Sequence, residues 1–472
     1  MEAEKPTGAP IAEIRPHLAR RVERELGQNV YLCYQCIKCT SGCPMGEFFD
    51  WQPNQILRAL QLGEEEIALH SLTPWLCAAC QTCSTRCPQG LDISAIMEFL
   101  TREALAQGIE PKAPEVAIFN RAFLRQIRLW GRLYEPGLMI EMKLANLRSL
   151  FDEFDLYARM LRKRKVSFFP RIVRPPRKPR PRGGAAQAIA YYPGCSLHSS
   201  AKEFDDSARA VCKALGLELV EPEGWVCCGS SAAHRADPET AFKLPMQNLR
   251  LFEQSGFSEV TMPCAACYSR HQAARYEMRH SPQRRRAIEE AMEYSFRDSV
   301  RITTLLEAIS VHAGEREVAR RTQRPLKGLR VACYYGCLIT RPPHVTGAVH
   351  VENPTEMETL LAAGGAEVVD WSYKTTCCGA AHSLTRPQIV RSLSSKLLIE
   401  AQKAGADVLA VACPLCHTNL DARQFQMALE TPLPVLYFTQ LLGIALAIPL
   451  SQIGLERNLT DPFSLLRSKN LL

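Results

Sequence analysis

The cysteines are the residues of this chain whose number and spacing most clearly indicate chemistry. The sequence has twenty of them, and two runs share the spacing C-x2-C-x2-C-x3-C followed by proline. The first run is Cys33, Cys36, Cys39 and Cys43, and the second is Cys77, Cys80, Cys83 and Cys87. This spacing is typical of paired 4Fe–4S clusters, in which three neighbouring thiolates bind one cluster and the fourth cysteine binds the other. The pattern predicts one cluster on Cys33, Cys36, Cys39 and Cys87, and a second on Cys77, Cys80, Cys83 and Cys43.

A zinc site is the alternative interpretation, because C-x2-C pairs also bind zinc. A structural zinc ion takes four ligands, which two such pairs would supply. The third and fourth cysteines of each run would then have no role. Since the same four-cysteine spacing occurs twice, we favour iron–sulfur clusters.

The C-terminal part contains an internal repeat. The sequence YYPGC at 191–195 returns as YYGC at 334–337, CCG at 227–229 returns at 377–379, and C-x2-C at 264–267 returns at 413–416. The offsets of 142, 150 and 149 residues indicate a single duplication of a domain-sized unit. The cysteines of the first repeat are Cys195, Cys227, Cys228, Cys264 and Cys267, and those of the second are Cys337, Cys377, Cys378, Cys413 and Cys416.

Each repeat has one thiolate more than a cubane cluster needs. Adjacent cysteines cannot easily occupy separate corners of one cube, so we expect an opened or bridged cluster. Two cysteines fall outside the patterns: Cys212 is expected to be a small buried side chain, and Cys333 is a candidate to replace Cys337 as a ligand. The histidines near cluster cysteines are candidate proton donors, with packing or hydrogen bonding as the favoured alternative; they are His198, His344, His382 and His417.

The elements that must position these cysteines follow from local patterns. Residues 54–62 predict a short helix ended by Gly63, and Asp92 predicts the start of a helix to about residue 107. Apolar side chains at 119, 123, 127 and 130 predict amphipathic helices in a cysteine-free stretch. In the repeats, β-branched runs at 259–262 and 407–412 end at the C-x2-C motifs, which indicates α/β domains with ligands at the carboxyl ends of strands.

A basic segment separates the cysteine-rich parts. Residues 162–182, which we call the basic segment, carry ten Lys and Arg and no acid, so the rest of the chain has a net charge of −2. Its prolines favour an extended linker. The predicted organisation is a two-cluster ferredoxin-type domain at 1–110, a helical extension at 111–165, a basic Pro-rich linker at 166–186, and the repeats at 187–328 and 329–472.

Composition indicates the cellular location of the protein and the kinds of partner it binds. The first thirty residues lack the apolar core of a signal peptide, and the apolar run at 436–450 is too short to span a bilayer, so it predicts a buried helix. We therefore expect a cytoplasmic protein, where structural disulfides are rare, with at most peripheral association with the inner face of the membrane through a partner or the basic linker. No nucleic-acid partner is expected, because the basic segment has no basic fold face beside it.

The motifs resemble those of a known family. The paired CCG motifs resemble the catalytic B-type subunit of heterodisulfide reductases, residues 30–108 resemble the C-type subunit, and their order in one chain is similar to the fused D-type subunit. The stretch YFTQLLG at 437–443 extends the similarity to most of residues 30–460. The expected fold class is α+β multidomain, with an N-terminal α-helical two-cluster ferredoxin-type domain followed by two duplicated α/β CCG domains.

The resemblance implies the cofactors. In that family each CCG domain holds a noncubane 4Fe–4S cluster, and the two clusters face each other across the substrate disulfide. It implies that the first noncubane cluster is held by Cys195, Cys227, Cys228, Cys264 and Cys267, and the second by Cys337, Cys377, Cys378, Cys413 and Cys416. Many relatives have one degenerate CCG motif, whereas both are complete here, which favours catalysis.

The implied function is that of a heterodisulfide reductase-like oxidoreductase. Two cubane clusters would pass electrons to two noncubane clusters that reduce, or form, a thiol disulfide. No G-x-G-x-x-G follows a predicted strand, so a flavoprotein subunit or a membrane cytochrome b is expected as electron donor or acceptor. The alternative is a non-catalytic electron-transfer subunit of a flavoprotein dehydrogenase, similar to those of glycolate or lactate oxidase and anaerobic glycerol-3-phosphate dehydrogenase.

Overall fold

The computed structural model describes residues 17–145, 153–173 and 187–472. The chain divides into two compact units, Met1–Pro114 and Glu115–Leu472. Of the predicted linker, residues 174–186 lie outside the described residues.

The N-terminal unit is helical in its described part. Its α-helices are His17–Leu26, Lys38–Ser41, Pro53–Leu62, Glu65–His70, Thr73–Leu76, Thr82–Arg86 and Ile93–Ala106, with 3₁₀ turns at Val30–Leu32 and Gly46–Phe48. Both helices predicted from the sequence are confirmed. Gly63 ends one of them in the left-handed conformation that glycine adopts without strain, and the Asp92 carboxylate accepts a hydrogen bond from the Ala95 N–H at the start of the other.

The second unit begins with the helical extension and continues through the two repeats. Its strands are β1 Gln187–Tyr191, β2 Leu217–Val220, β3 Glu259–Met262, β4 Arg301–Thr304, β5 Arg330–Tyr334, β6 Glu367–Val369, β7 Val408–Val411 and β8 Val435–Tyr437. The helices before β1 are Pro114–Trp130, Glu135–Ala145 and Phe154–Arg162, the first of which confirms the predicted amphipathic helix.

The helices of the repeats alternate with these strands. In the first repeat they are Gly194–Leu197, Lys202–Ala214, Ser230–Ala236, Pro238–Gln254, Ala265–His280, Pro282–Met292, Leu305–His312 and Gly314–Arg321. In the second repeat they are Pro343–Thr346, Glu356–Ala363, Pro387–Lys403, Pro414–Ala422, Phe438–Ala445, Leu450–Ile453 and Phe463–Ser468, with 3₁₀ turns at Ala380–His382, Gln424–Gln426 and Leu455–Arg457.

The two repeats have the same parallel sheet. The strand orders are β2-β1-β3-β4 and β6-β5-β7-β8, and every pairing is parallel. In each sheet the strands that follow in the chain lie on opposite sides of the first strand of the repeat, so the strand order changes direction there. Ligand sites in open parallel sheets lie at such points, outside the carboxyl ends of the strands. The cysteines follow these ends: the YYPGC and YYGC motifs follow β1 and β5, the CCG motifs follow β2 and β6, and the C-x2-C motifs follow β3 and β7. The predicted α+β fold class is confirmed.

The two repeats share a hydrophobic core. One continuous cluster of buried side chains includes Leu197 and Phe204 from the first repeat and Leu409 and Phe438 from the second. The Phe204 ring stacks on the Tyr437 ring, with ring centroids 4.1 Å apart. Because the core is continuous, the sites of the two repeats belong to one packed body.

The apolar run at 436–450 departs from its prediction. We expected one buried helix, but the run begins in strand β8, continues as the helix Phe438–Ala445 and leaves the helix before Pro449. The reason is that β8 pairs with β7, with Leu436 opposite Ala410, and this tertiary pairing outweighs the helical preference of the local sequence.

Candidate functional site

A cavity in the N-terminal unit is lined by four cysteines predicted for one cubane cluster. These are Cys43, Cys77, Cys80 and Cys83. Much of the remaining wall is apolar, as at Met45 and Met97. Iron–sulfur clusters are held by cysteine thiolates, and burial tunes their potential. The donor set and its surroundings therefore fit such a cluster.

The fourth cysteine of each run lies among the thiols of the other run. Burial raises the pKa of the Cys43 thiol, and the thiols of Cys80 and Cys77 in the second run raise it further. Burial also raises the pKa of Cys33, and Cys87 raises it further. The structure thus places the fourth cysteine of each run near thiols of the other run, and the exchange of cluster ligands between the runs remains a prediction.

The two runs have the same unusual backbone. Gln35 and Ile37 in the first run have positive φ angles of 61° and 58°, and Ala79 and Gln81 at the equivalent positions of the second run have 50° and 61°. A left-handed conformation costs a non-glycine residue on the order of 1–3 kcal/mol and persists where the surrounding structure demands it, commonly at binding sites. The repeated strain indicates that the two loops are built for the same purpose.

The thiols of the first repeat adjoin one another. The Cys228 and Cys267 sulfurs lie 3.4 Å apart. A hydrogen bond with Cys195 raises the pKa of Cys227 well above its ordinary value, and a hydrogen bond with Cys228 does the same for Cys267. The cysteines from three separate loops therefore converge at the carboxyl ends of β1, β2 and β3.

The second repeat contains the same convergence of thiols. A hydrogen bond from Cys416 lowers the pKa of Cys378. The Asn419 amide nitrogen lies 3.6 Å from the Cys378 sulfur, and the Gly379 N–H donates to the Cys377 sulfur over 3.3 Å. These donors stabilise negative charge on sulfur, as a cluster ligand requires.

Cys264 of the first repeat and Cys413 of the second lie next to each other. The neighbouring Cys264 thiol, and after it the Cys416 thiol, lowers the pKa of Cys413 well below its ordinary value. The backbone of Ala265 lowers this pKa further. The two repeats thus bring their sulfur clusters side by side.

A buried tyrosine lies among the other four thiols in each repeat. The Tyr192 hydroxyl donates to the Val226 carbonyl over 2.8 Å, and the Tyr334 hydroxyl donates to the Thr376 carbonyl over 2.6 Å. Both carbonyls immediately precede the paired cysteines. Burial raises the pKa of both tyrosines, and nearby thiols raise it further. For Tyr192 these thiols are Cys267, Cys228, Cys227 and Cys195. For Tyr334 they are Cys378, Cys416, Cys377 and Cys337.

The helical extension supplies part of the first site. The Leu133 N–H donates to the Cys195 sulfur over 3.4 Å, and the Cys227 N–H donates to the Gly131 carbonyl over 2.9 Å. Burial lowers the pKa of Arg132, while the nearby Cys195 thiol opposes this shift. No sequence motif marked these residues, because the contacts join segments more than sixty residues apart.

Each histidine singled out from the sequence has a partner other than a cysteine thiol. The partners are Glu221 for His198, Tyr276 for His344, Thr385 for His382 and Val435 for His417. These contacts agree with the favoured alternative of packing and hydrogen bonding, and a proton-donor role for any of the four remains a prediction.

His271 is a site residue that the sequence analysis missed. Its Nδ1 lies 2.7 Å from the Cys267 carbonyl, and its Nε2 lies 3.1 Å from the Asn248 amide nitrogen. Asn248 also pairs with the backbone N–H and carbonyl of Val226. Burial lowers the pKa of His271. A four-residue spacing on one helix places His271 next to Cys267, and this spacing was the available signal.

The two remaining cysteines are buried apart from the motifs. Cys212 lies in the helix Lys202–Ala214, as predicted, and burial raises its pKa to about 12. Cys333 lies on β5, where burial, and then Glu358, raise its pKa well above the ordinary value. Its exchange with Cys337 as a ligand remains a prediction.

Comparison with known proteins matches the N-terminal part and the repeats of the chain to two families. Residues 32–92 match the family described as 4Fe-4S dicluster domain. Residues 189–270 and 331–421 each match the family described as cysteine-rich domain.

Three relatives illustrate the similarity. The 8-methylmenaquinol:fumarate reductase membrane anchor subunit of Wolinella succinogenes is 32% identical over 279 residues, which are 58% of this chain and 97% of that protein. The B-type subunit of the ferredoxin/F(420)H(2)-dependent CoB-CoM heterodisulfide reductase of Methanosarcina acetivorans is 25% identical over 280 residues, 57% and 93% of the two chains. The C-type iron-sulfur subunit of the CoB–CoM heterodisulfide reductase of Methanopyrus kandleri is 37% identical over 98 residues, 21% and 51%.

A dicluster domain followed by two cysteine-rich repeats defines an iron–sulfur oxidoreductase, a component of a multi-subunit reductase complex. The chain is a heterodisulfide reductase-like fusion of a part similar to the C-type subunit and a part similar to the B-type subunit. In the described part of the chain, none of the helices is both long and apolar enough to cross a membrane.

Proposed function

We propose that this chain is the catalytic subunit of its complex and that it reduces a thiol disulfide, or forms one in the reverse direction. The observation that carries the proposal is that Cys264 of the first repeat and Cys413 of the second lie close enough for each thiol to shift the pKa of the other. A disulfide has two sulfur atoms, and two adjoining sulfur-rich sites in one core suit a substrate of that kind.

The proposal assigns four iron–sulfur clusters. Two cubane clusters belong to the N-terminal unit, with the ligand exchange described above, and two noncubane clusters belong to the repeats. Bound clusters supply one-electron transfer to and from a partner, a flavoprotein subunit or a membrane cytochrome b. The ligands of the noncubane clusters are Cys195, Cys227, Cys228, Cys264 and Cys267 in the first repeat, and Cys337, Cys377, Cys378, Cys413 and Cys416 in the second.

The chain itself holds these ligands in place and excludes water. Tyr192 and Tyr334 fix the loops before the paired cysteines. Both tyrosines are fully buried, and most cysteines of the repeats are buried too. Hydrogen bonds to the sulfurs and a water-poor environment are the means by which a protein adjusts the potential of such centres.

A second candidate is an electron relay without disulfide chemistry. The relative from Wolinella succinogenes favours it, because its name places that protein in a fumarate reductase and not in a heterodisulfide reductase. In that case the repeats would pass electrons between partners, and loss of one repeat would slow transfer without removing a substrate site.

We further propose a peripheral contact with a membrane or a membrane partner through the basic segment. Large apolar side chains are exposed in and beside its described part; they are Ile140, Leu144, Phe154, Leu161, Phe168, Phe169 and Ile172. Cations next to exposed apolar side chains are typical of interfacial segments. These exposed side chains support peripheral association with a membrane, which needs no membrane-spanning helix.

Iron analysis with a disulfide assay tests the proposal. Four clusters of four irons predict about sixteen iron atoms per anaerobically prepared chain. The protein should also oxidise a reduced viologen when a thiol disulfide is added. About eight irons per chain, with reactive thiols throughout the repeats, would rule out the catalytic assignment and leave the N-terminal clusters; a chain rich in zinc and poor in iron would rule out both.

A further inference from the structure

An arginine guanidinium holds the CCG loop of each repeat at the same backbone position. In the first repeat, Nε of Arg132 donates to the Trp225 carbonyl over 3.2 Å. In the second repeat, an Nη atom of Arg341 donates to the Thr375 carbonyl over 2.7 Å. Trp225 and Thr375 each lie two residues before the first of the paired cysteines. The two arginines therefore make equivalent contacts beside the two sites.

The two arginines come from different parts of the chain. Arg132 belongs to the helical extension, which precedes both repeats. Arg341 lies within the second repeat, four residues after Cys337, and the residue four positions after Cys195 in the first repeat is Ser199. The internal duplication therefore does not account for the shared contact. A contact that two unrelated segments supply indicates that the position itself favours a positively charged donor.

Arg132 is fixed in orientation beside the first site. Its guanidinium carbon lies 3.6 Å from the centre of the Trp225 ring, in cation–π contact, and Trp225 is fully buried. The residues on either side of Arg132 make the hydrogen bonds to Cys227 and Cys195 described above. The extension thus places a cation next to two of the cysteines of the first repeat.

Arg341 is held deeper in the second repeat. Its side chain is fully buried, and a second Nη atom donates to the Thr375 hydroxyl over 2.9 Å and to the Glu352 carboxylate over 2.6 Å. The Glu352 side chain is 47% exposed. A guanidinium stays protonated in proteins. Arg341 therefore contributes a buried positive charge, which Glu352 partly offsets from the surface.

A fixed positive charge favours the reduced state of a nearby iron–sulfur cluster. A cluster that accepts one electron gains one unit of negative charge, and charges interact strongly where water is excluded. Net charge and hydrogen bonding around a cluster are among the factors that set its reduction potential. Each arginine adjoins the loop that carries two neighbouring cysteines, so its charge acts on that site.

We propose that Arg132 and Arg341 are positioning residues that hold the paired-cysteine loops and raise the reduction potential of the cluster in each repeat. This inference rests on the proposed function, because it concerns the clusters assigned there to the repeats. It also makes the helical extension a part of the first site. Removing the charge of Arg132 should make the first cluster harder to reduce, and removing the carboxylate of Glu352 should make the second cluster easier to reduce.

Three variants and a matched control test these signs. Arg132→Gln removes the charge, and Arg132→Lys keeps the charge while it changes the shape of the donor. Glu352→Gln alters a half-exposed side chain and leaves Arg341 in place. The control is Arg250→Gln, because Arg250 also places its guanidinium over a tyrosine ring and donates to a backbone carbonyl. Both of these partners lie at 292–294, outside the cysteine motifs.

The measurement is a redox titration of the anaerobic, cluster-loaded protein with dithionite, followed by low-temperature EPR. At a fixed potential, Arg132→Gln should lower the ratio of reduced to oxidised cluster in one repeat by about tenfold, which corresponds to about 59 mV for a one-electron couple. Glu352→Gln should raise this ratio for the cluster of the other repeat. Arg132→Lys should restore most of the wild-type potential. Arg250→Gln should match the wild type, and the N-terminal clusters should be unchanged in every variant.

The outcomes separate the role of the arginines from the proposed function. Unchanged potentials in both Arg132→Gln and Glu352→Gln would overturn the inference, and disulfide reduction by the wild type would still support the proposed function. An equal fall in Arg132→Lys and Arg132→Gln would also overturn it, because the charge would then not be the cause. If Arg132→Gln fails to hold its cluster, the sign of the shift in Glu352→Gln decides.

Shifts of the expected sign, together with no reduction of any disulfide by the wild type, would support the inference and overturn the proposed catalytic function. Repeats that hold no cluster in the wild type would overturn both.

Discussion

Tyr192 and Tyr334 occupy equivalent places in the two repeats, each donating a hydrogen bond to the carbonyl that precedes a pair of adjacent cysteines. Both side chains are fully buried. The sequence repeat is therefore accompanied by a repeated side-chain contact. In each repeat this contact holds the CCG loop beside its sheet.

Replacing either tyrosine by phenylalanine should loosen its loop. The substitution leaves a buried carbonyl without its donor, which costs about 1–3 kcal/mol. We expect Tyr192→Phe and Tyr334→Phe each to lower the free energy of unfolding by that amount, measured by urea denaturation of the anaerobic protein. A loss in one variant only would show that the two loops are not held in the same way.

Two glycines allow the backbone to approach a cluster thiol. Gly194 and Gly336 both have φ of +74°, and a Cβ at these positions would lie 3.1 Å from the Cys267 sulfur and 2.9 Å from the Cys416 sulfur. Gly194→Ala or Gly336→Ala should displace the thiol and lower the iron content from about sixteen to about twelve atoms per chain.

Gly256 provides the control for this prediction. It has φ of +77°, and a Cβ there would meet nothing within 4 Å. Gly256→Ala carries the same backbone cost, about 1–2 kcal/mol, without touching a thiol. If Gly256→Ala loses as much iron as Gly194→Ala, general destabilisation explains the result and the close approach does not.

The stability of the second unit should depend on pH through Glu135. Burial raises its folded-state pKa from 4.5 to about 7, so the folded chain binds more protons than the unfolded chain between these values. The stabilising contribution is complete below about pH 4.5 and is lost as the pH rises through about 7. Glu135→Gln should therefore match the wild type at low pH and exceed it by up to about 3 kcal/mol above neutral pH. If the free energies of unfolding of Glu135→Gln and the wild type, measured by urea denaturation, differ by the same amount at every pH, the result would contradict the pKa shift.

Local patterns predicted the parts of the fold that local chemistry controls. The cysteine runs, the helix limits at Gly63 and Asp92 and the strands before the C-x2-C motifs follow from residue spacing and caps. The buried helix predicted at 436–450 is present only over Phe438–Ala445, because pairing with β7 makes the start of the run a strand. Contacts across the chain, such as Leu133 with Cys195, have no local signature.

The charge count of the basic segment did not predict which of its cations is buried, because long-range contacts determine this. Lys165 is one of the ten cations of the basic segment and the last residue of the helical extension predicted at 111–165. The structure buries it against Glu203 on a helix of the first repeat. A lysine can leave water in this way only when a distant acid meets it, and sequence spacing does not reveal which acid that is.

The cations of the basic segment should bind an anionic membrane surface. Each cation near anionic lipid contributes about 1 kcal/mol. Replacing Arg174, Arg177 and Arg180 with serine should weaken binding to anionic vesicles at low salt, as measured by cosedimentation. Three serines at exposed cations elsewhere, Arg286, Arg316 and Lys327, should have little effect. Unchanged binding of the first variant would leave the segment as a linker.

The paired cysteines provide the most direct test of the central claim, that a disulfide is processed between the two repeats. Cys228→Ser and Cys378→Ser each remove one thiolate from a CCG site and leave the N-terminal runs intact. Cys212→Ser removes a buried thiol outside both sites and serves as the control. The measurement is disulfide reduction by each anaerobic variant, with low-temperature EPR of the dithionite-reduced protein.

Either Cys228→Ser or Cys378→Ser alone should abolish disulfide reduction, since each repeat is needed for one sulfur of the substrate. The EPR signals of the N-terminal clusters should be unchanged, and Cys212→Ser should retain activity. Near wild-type reduction by one of the two variants would contradict the account and would indicate a single active repeat supplied with electrons by the other.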